Sequence, residues 1–350
     1  MSGGVDSSVT AALLKAHGLN VQGLYMRNWD SFDERGVCSA NDEWDDVRRV
    51  CDTLRIPCRE INFVKEYWTD VFQQTLEDYA AGLTPNPDIL CNQYIKFGAL
   101  FDRTAKQRDD VWLATGHYCR TNEHGQLLRG RDSNKDQSYY LSSVTEASLK
   151  RTLFPLGDYA SKADVKAEAL RFGLHDIAAK PESMGICFVG QRRRFADFLA
   201  EYIDQPPGPA VDLQGNVIGQ HRGLYAYTIG QASGICHGAH KMVVAQKRVK
   251  DNTLVLVPGS NHPALFRTTC HARNWVWIHP SSPLQDQILH EPVVVDAQIR
   301  YRMKPQKARL SRHQGRYTLE FFEPVRAIAP GQQVVVWHGD WCLGGGVIIE

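Results

Sequence analysis

The hydrophobic pattern of this chain changes period once, and the change falls at a proline-dense break, DQPPGPAV, Asp204 to Val211. Proline fixes φ and removes a backbone donor, so no helix continues through that stretch and a domain boundary belongs there. Upstream, from Val5 to about Tyr202, helix-like and strand-like segments alternate. DSSVTAALLKAHG reads as a helix, NVQGLYM as a strand, EWDDVRRVCDTL as a helix and PCREINF as a short strand. VKEYWTDVFQQTLEDYAAG and NQYIKFGALFDRTAKQ then read as helices, and DVWLATG as an apolar strand. Strands alternating with helices of this length predict an α/β domain with a parallel sheet. Downstream, short alternating runs such as HKMVVAQKRVKDNTLVLVPG, PVVVDAQIRYRM and QQVVVWHGDWCLGGGVII, with Gly, Asn and Asp at the turns, predict β structure. The expected division is an α/β domain over 1–203, a small β-rich central domain over 204–267 and a C-terminal β-barrel over 268–350.

Composition narrows the classes. Forty Lys and Arg against 39 Asp and Glu leave a net charge of +1 in 350 residues, so a polyanionic partner must be held by a local patch. Nine cysteines, an odd number with no Cys-x-x-Cys pair, are too few for a disulfide-stapled scaffold and imply reduced thiols. No run approaches the roughly 18 to 20 apolar residues of a membrane-spanning helix, which gives no reason to expect a membrane partner.

The first residues carry the strongest chemical signal. In Ser2-Gly3-Gly4-Val5-Asp6-Ser7-Ser8 two glycines let backbone approach a ligand, and the hydroxyls and free N–H groups opening the following helix can face an anion. The Lys-Ser/Thr ending of a Walker A loop is absent, and so is a Gly-x-Gly-x-x-Gly fingerprint. On Gly-Gly alone, a Ser-capped helix start explains the string as well. The full string SGGVDSS, leading into an amphipathic helix and then an apolar strand, resembles the PP-loop of the ATP pyrophosphatase superfamily, whose fold is that of the adenine nucleotide alpha hydrolases. That resemblance implies ATP as substrate, Ser2 to Ser8 as its cradle, and Mg²⁺ on the phosphates held by Asp6. Such a loop follows a buried strand and nothing precedes it here, so the first strand and any targeting segment are expected to be missing from this sequence.

The PP-loop alone does not select a reaction, because the superfamily includes amide-forming synthetases as well as RNA-sulfurating enzymes. Cys91 lies in TPNPDILCNQYIKF, where two prolines stiffen a loop expected to end at a helix start, a position that lowers a thiol pKa. Cys187 lies in ESMGICFVG, followed by Arg192, Arg193 and Arg194. Free cysteine is among the most buried residue types, so either thiol alone reads equally as inert core. A thiolate near cations is also a nucleophile or sulfur carrier. The other cysteines of the chain sit where no chemistry is needed.

TPNPDILCNQYIKF, ATGHY, KDQSYYLS, ESMGICFVG, YTIGQ, IRYR and CLGGGVI occur in the order and spacing of the tRNA-specific 2-thiouridylases, which the chain resembles from Ser2 to its C-terminus. MRNWDSFDERGVCS looks like the mitochondrial members, which implies a mitochondrial location. By that resemblance Cys187 holds the transferable sulfur as a persulfide, and Cys91 is the second catalytic cysteine, able to form a disulfide with it. Asp6 joins them as a catalytic residue, while Met26 and Gly116 line the ATP site. Asn86, Pro87 and Asp88 meet the target base, and Lys135, Asp136, Gln137, Arg300 and Tyr301 contact tRNA. Asp88 reads equally as the acid of a helix N-terminus. The activity implied is ATP-dependent formation of 2-thiouridine at the wobble position of tRNA, with an upstream persulfide donor protein as partner. A PP-loop amide synthetase and an inactive RNA-binding relic lacking the first strand are the rival readings.

Between Gln298 and Thr318 seven Arg and Lys residues accumulate without an acid, with Tyr301 and Tyr317 interleaved, a pattern suited to phosphate and base contacts. Cys236, His237 and His240 in GICHGAH lack the companion pair of a structural zinc site and read as a surface loop, so no metal site is expected in the chain itself.

Overall fold

The computed structural model describes residues 1–29, 39–181, 195–238, 240–280 and 282–350. They form two compact units, one of Met1–Val71, Pro87–Gln191 and Asp340–Leu343, the other of Phe72–Asn86, Arg192–Gly339 and Gly344–Glu350.

The first unit is α/β. Helix α1, Val5–Ala16, is followed by strand β1, Gly23–Arg27, helix α2, Ser39–Leu54, and strand β2, Cys58–Asn62. β1 and β2 pair in parallel from Gly23↔Cys58 to Arg27↔Asn62. A second parallel pair joins Leu113–Ala114 to Thr152–Leu153, so the described parallel strands stand two and two. α1 is buried on two sides. Val5, Val9 and Ala12 pack with Val50, Tyr118, Leu156 and Val165, while Ala11 meets Tyr25, Val47 and Cys51. Tyr25 stacks on Trp44 at 5.7 Å, which fixes α2 over β1. The expected strand DVWLATG is strand only at Leu113–Ala114.

Two helical runs carry π-helical stretches, from Trp68–Phe72 and from Cys91–Ala99. The second run begins at Pro87 and reaches Arg103. Its start therefore lies earlier than the NQYIKF reading placed it. Proline at the first helical position supplies the required φ and sacrifices a donor that no helix start uses.

The second unit is β-rich. Five strands lie in the order Val217–His221, Gly208–Val211, Thr253–Pro258, His240–Arg248, Ala232–His237, packed around Leu224, Met242, Val244, Leu254 and Leu256. The GICHGAH segment is a strand pair here and not a loop, with His237 opposite His240 and Cys236 opposite Lys241. A six-stranded antiparallel barrel follows, Phe266–Trp277, Val293–Gln298, Gln306–His313, Arg316–Arg326, Gln333–His338 and Trp341–Ile348, of which Gly344–Ile348 belong to this unit and pair with the first strand to close it. The α/β, β-rich and barrel sections expected from the sequence are all present.

One feature of this unit fixes the stretch Phe72–Asn86. Lys247 is half-buried and its Nζ donates to the carbonyls of Tyr227 (2.8 Å), Leu83 (3.3 Å) and Leu224 (3.5 Å) and to Thr84 Oγ1 (3.3 Å). Thr84 N donates to Pro330 O at 2.8 Å, and Gln332 Nε2 donates to Thr84 O at 2.8 Å. Burial without an acidic partner lowers the Lys247 pKa to about 8. Among the described residues no helix is long and apolar enough to cross a membrane.

Candidate nucleotide and thiol site

The turn Ser2–Gly4 is built as an anion cradle. Gly3 adopts φ +68°, and a Cβ there would stand 2.7 Å from Asp46 Cβ on α2, so only glycine fits between the turn and that helix. Ser2 N donates to Ser7 Oγ at 3.2 Å, and Ser8 Oγ to Gly4 O at 2.8 Å, which folds the hydroxyls back onto the turn. Gly4 caps α1 without a side-chain hydrogen bond, leaving first-turn N–H groups for an anion. Gly116 closes the site from another element: a Cβ on it would lie 2.8 Å from Asp6 C and 2.9 Å from Ser7 N. Met26 follows Tyr25 on β1, and strand alternation puts it on the face opposite α2.

Asp6 is held by residues distant in sequence. Tyr118 Oη donates to Asp6 Oδ1 at 2.7 Å, and Lys162 Nζ reaches the same oxygen. Tyr118 is in turn gripped by Gln137, whose N donates to Tyr118 O at 2.8 Å and whose Oε1 accepts from Tyr118 N at 3.0 Å. On the other side of the turn Lys180 pairs with Asp46, and its Nζ lies 3.5 Å from Gly3 O. Tyr118, Lys162 and Lys180 escaped the sequence reading. Tyr118 stands inside the ATGHY motif, but nothing local marks either lysine.

The fit to ATP and Mg²⁺ can be judged from these groups. Two glycines whose Cβ positions are occupied, open N–H groups and flanking lysines suit a polyphosphate. Mg²⁺ is commonly bound through one or two carboxylates plus substrate phosphates, and Asp6 at the mouth of the turn offers one. Among the described residues there is no cluster of three or more His, Cys, Asp or Glu that would form a dedicated cage.

Cys91 is 3% exposed and sits one turn into the helix that begins at Pro87, not at its start, so the end of the helix dipole falls on Asp88 instead. Burial raises the Asp88 carboxyl to about 6, opposed by the Lys96 cation. Asp88 precedes Cys91 by three residues, the spacing that puts two side chains on one helical face. Lys96 follows Cys91 by five residues, the spacing of a π-helical hydrogen bond. His117, next to Gly116, is half-buried with Nδ1 2.9 Å from Thr115 Oγ1, and desolvation lowers its pKa well below the usual imidazole range. Cys187 and Arg192 to Arg194 lie outside the described residues.

The residues expected on tRNA are placed as follows. Asn86 ends the Phe72–Asn86 stretch of the second unit, and Pro87 opens the helix of the first. Asp136 is buried and accepts from Gly130 N (3.0 Å), Ser138 N (3.0 Å), Ser138 Oγ (3.0 Å) and Arg129 Nη1 (3.1 Å). With Gln137 engaged on Tyr118, both side chains serve the fold, and Lys135 is the half-buried member of the turn. Arg300 and Tyr301 follow the strand Val293–Gln298, and the Arg302 guanidinium lies 5.5 Å from the Tyr301 ring. The basic stretch is less cationic in the fold than in the sequence. Lys307 pairs with Asp296 at 3.0 Å, Arg316 pairs with Glu350, and Arg309 stands opposite Glu320.

Comparison with known proteins agrees with this layout. Residues 1–191 match the family described as tRNA methyl transferase HUP domain, 196–258 its PRC-barrel domain, and 267–348 the aminomethyltransferase beta-barrel domain. The tRNA-specific 2-thiouridylases MnmA of Pseudomonas putida and Pseudomonas entomophila are each 44% identical over 357 aligned positions, covering 99% of this chain and 93% of theirs. That of Staphylococcus aureus is 43% identical over the same shares.

Proposed function

The chain belongs to the tRNA-specific 2-thiouridylase family, and from that premise we propose how its residues divide the work of an ATP-dependent tRNA-uridine 2-sulfurtransferase acting at the wobble uridine. The observation that carries the reading is a single unit containing both a polyphosphate cradle, Ser2–Ser8 closed by Gly116, and a helix bearing Asp88 and Cys91.

The C2 oxygen of uridine is a poor leaving group. ATP supplies the activation: that oxygen takes the adenylyl group and pyrophosphate departs. Bound Mg²⁺ would screen the phosphate charges from one another. The N–H groups of the turn and the start of α1 hold the departing anion, with Asp6 oriented by Tyr118. Cys187 carries the sulfur as a persulfide, whose terminal sulfur attacks C2 and expels AMP with the former C2 oxygen. Cys91 then attacks Cys187 Sγ, breaking the sulfur–sulfur bond, so that thiolated uridine leaves and a Cys91–Cys187 disulfide remains for a reductant. Asp88, poised near neutrality, takes the proton that Cys91 must lose. A persulfide-carrying protein delivers the sulfur, and the MRNWDSFDERGVCS stretch supports a mitochondrial setting.

The test is to incubate the protein with ATP, Mg²⁺, a persulfide donor and unmodified tRNA, then to digest the RNA and measure 2-thiouridine. Cys91→Ser and Cys187→Ala each abolish the product while the parent forms it. Parent-level thiolation by Cys187→Ala would refute the assigned carrier.

A further inference from the structure

Lys162 is out of place by the ordinary rules of helix chemistry. It is the first residue of the helix Lys162–Arg171, whose N-cap Ser161 accepts from Asp164 N. A cation at a helix N-terminus opposes the macrodipole. The side chain is only 16% exposed, and its ammonium lies 5.6 Å from the Tyr118 ring centre and against Asp6 Oδ1. As a counter-ion for Asp6 alone it is superfluous, because Asp6 is 36% exposed and the same oxygen already accepts from Tyr118 at 2.7 Å. What the position provides is a positive charge at the mouth of the glycine turn. It is delivered from an element 156 residues downstream, onto the acid that a metal would claim.

We propose that Lys162 is a pyrophosphate-binding residue that occupies Asp6 while the cradle is empty and transfers its ammonium to phosphate oxygens when the polyphosphate arrives. This rests on the reading of Ser2–Ser8 as the ATP site. Loss of the Asp6 partner to a metal ion frees the ammonium within reach of the turn, and the phosphate charge replaces the carboxylate charge one for one. Lys180 on the other flank differs, since its partner Asp46 belongs to α2 and its contact is with the Gly3 carbonyl, which staples that helix to the turn.

Calorimetric titration of inorganic pyrophosphate and of AMP, with and without Mg²⁺, tests the idea without any turnover. Lys162→Met is expected to weaken magnesium pyrophosphate about ten- to a hundred-fold, the worth of a charge-assisted hydrogen bond. AMP binding stays within about two-fold, and Lys162→Arg stays nearer the parent than Lys162→Met. Without Mg²⁺, Asp6→Asn binds pyrophosphate more tightly than the parent, because a repelling carboxylate is gone and the ammonium is released. The double variant Asp6→Asn/Lys162→Met loses that gain. It also guards against misfolding of Lys162→Met, since both charges are removed together. A lysine that only balanced Asp6 would leave the double variant equal to Asp6→Asn, and that equality overturns the proposal. Parent-like pyrophosphate binding by Lys162→Met overturns it too. If Gly116→Val abolishes binding while Lys162→Met does not, the ATP site stands and only the role of Lys162 falls. If the parent binds neither pyrophosphate nor ATP, both fall together.

Discussion

Two lysines of this molecule are partnered in opposite ways. At the glycine turn, Lys162 faces a carboxylate at an open mouth. In the second unit, Lys247 is enclosed by three carbonyls and a hydroxyl, none of them charged. An ion pair with solvent on one side can exchange its anion, whereas a cation surrounded by neutral oxygens has nowhere better to go. The first arrangement suits a ligand and the second a clamp.

The contrast can be broken most sharply at the turn itself. Gly116→Val places carbon within 3 Å of the Asp6 and Ser7 backbone; ATP affinity, read by equilibrium dialysis, is expected to fall by at least about a hundred-fold while second-unit stability is unchanged. Lys247→Met reverses the pattern. Its lost hydrogen bonds leave buried carbonyls unsatisfied, so chemical denaturation shows roughly 2 to 4 kcal/mol less stability with ATP affinity intact. Equal effects of the two variants on nucleotide binding would erase the distinction.

Titration sharpens it further. Lys247 titrates at about 8 in the folded chain against an ordinary 10.5. Between those values the unfolded state holds more protons, so stability rises with pH from about 8 to 10.5, by up to roughly 3 kcal/mol, and the rise disappears in Lys247→Met. Asp88 is desolvated as well but is an acid, with its pKa raised to about 6 from 3.8. The folded state now holds the extra proton, so this group's contribution to stability falls as pH rises from about 3.8 to 6. On the proposed role of Asp88 as base for Cys91, kcat/KM is expected to rise with pH about ten-fold per unit below 6 and to level above, read in a single-turnover pH series. The smallest effect belongs to the barrel. Lys307 is 59% exposed and paired with Asp296, so Lys307→Ala alters stability by less than about 1 kcal/mol in a thermal melt.

What the sequence disclosed was what the chain settles locally. The turn and α1 are contiguous, and SGGVDSS sets both the glycine conformation and the helix start. The β-runs after Val211 alternate with period two, which suffices for a β-rich section and a barrel. The parts that stayed hidden depend on partners far along the chain. Asp6 is oriented by Tyr118 and Lys162, 112 and 156 residues away, and Thr84 is gripped by Gln332, 248 residues away. The basic run looked uncompensated because Glu320 and Glu350 lie beyond it and Asp296 just before it, and only strand pairing brings acids alongside. Cys91 was misplaced at a helix start because Pro85 and Pro87 both signal a break, while the second of them begins the helix.

The π-helical stretch Cys91–Ala99 has a consequence for how this site tolerates change. Such a stretch winds more residues into each turn than the 3.6 of an α-helix, so deleting one residue between Asn92 and Gly98 would let it tighten. Each remaining residue would then turn by the roughly 100° of an α-helix instead of the smaller π-helical angle, so the residues before the cut would be re-aimed against those after it by the difference between the two windings. Ile95, Phe97, Leu100 and Phe101 are all buried, as Cys91 is, so any such re-aiming would be felt in the packing around the thiol. The loose winding sets where the buried thiol stands relative to its apolar neighbours along one cylinder, and a shortened version would have to change that spacing.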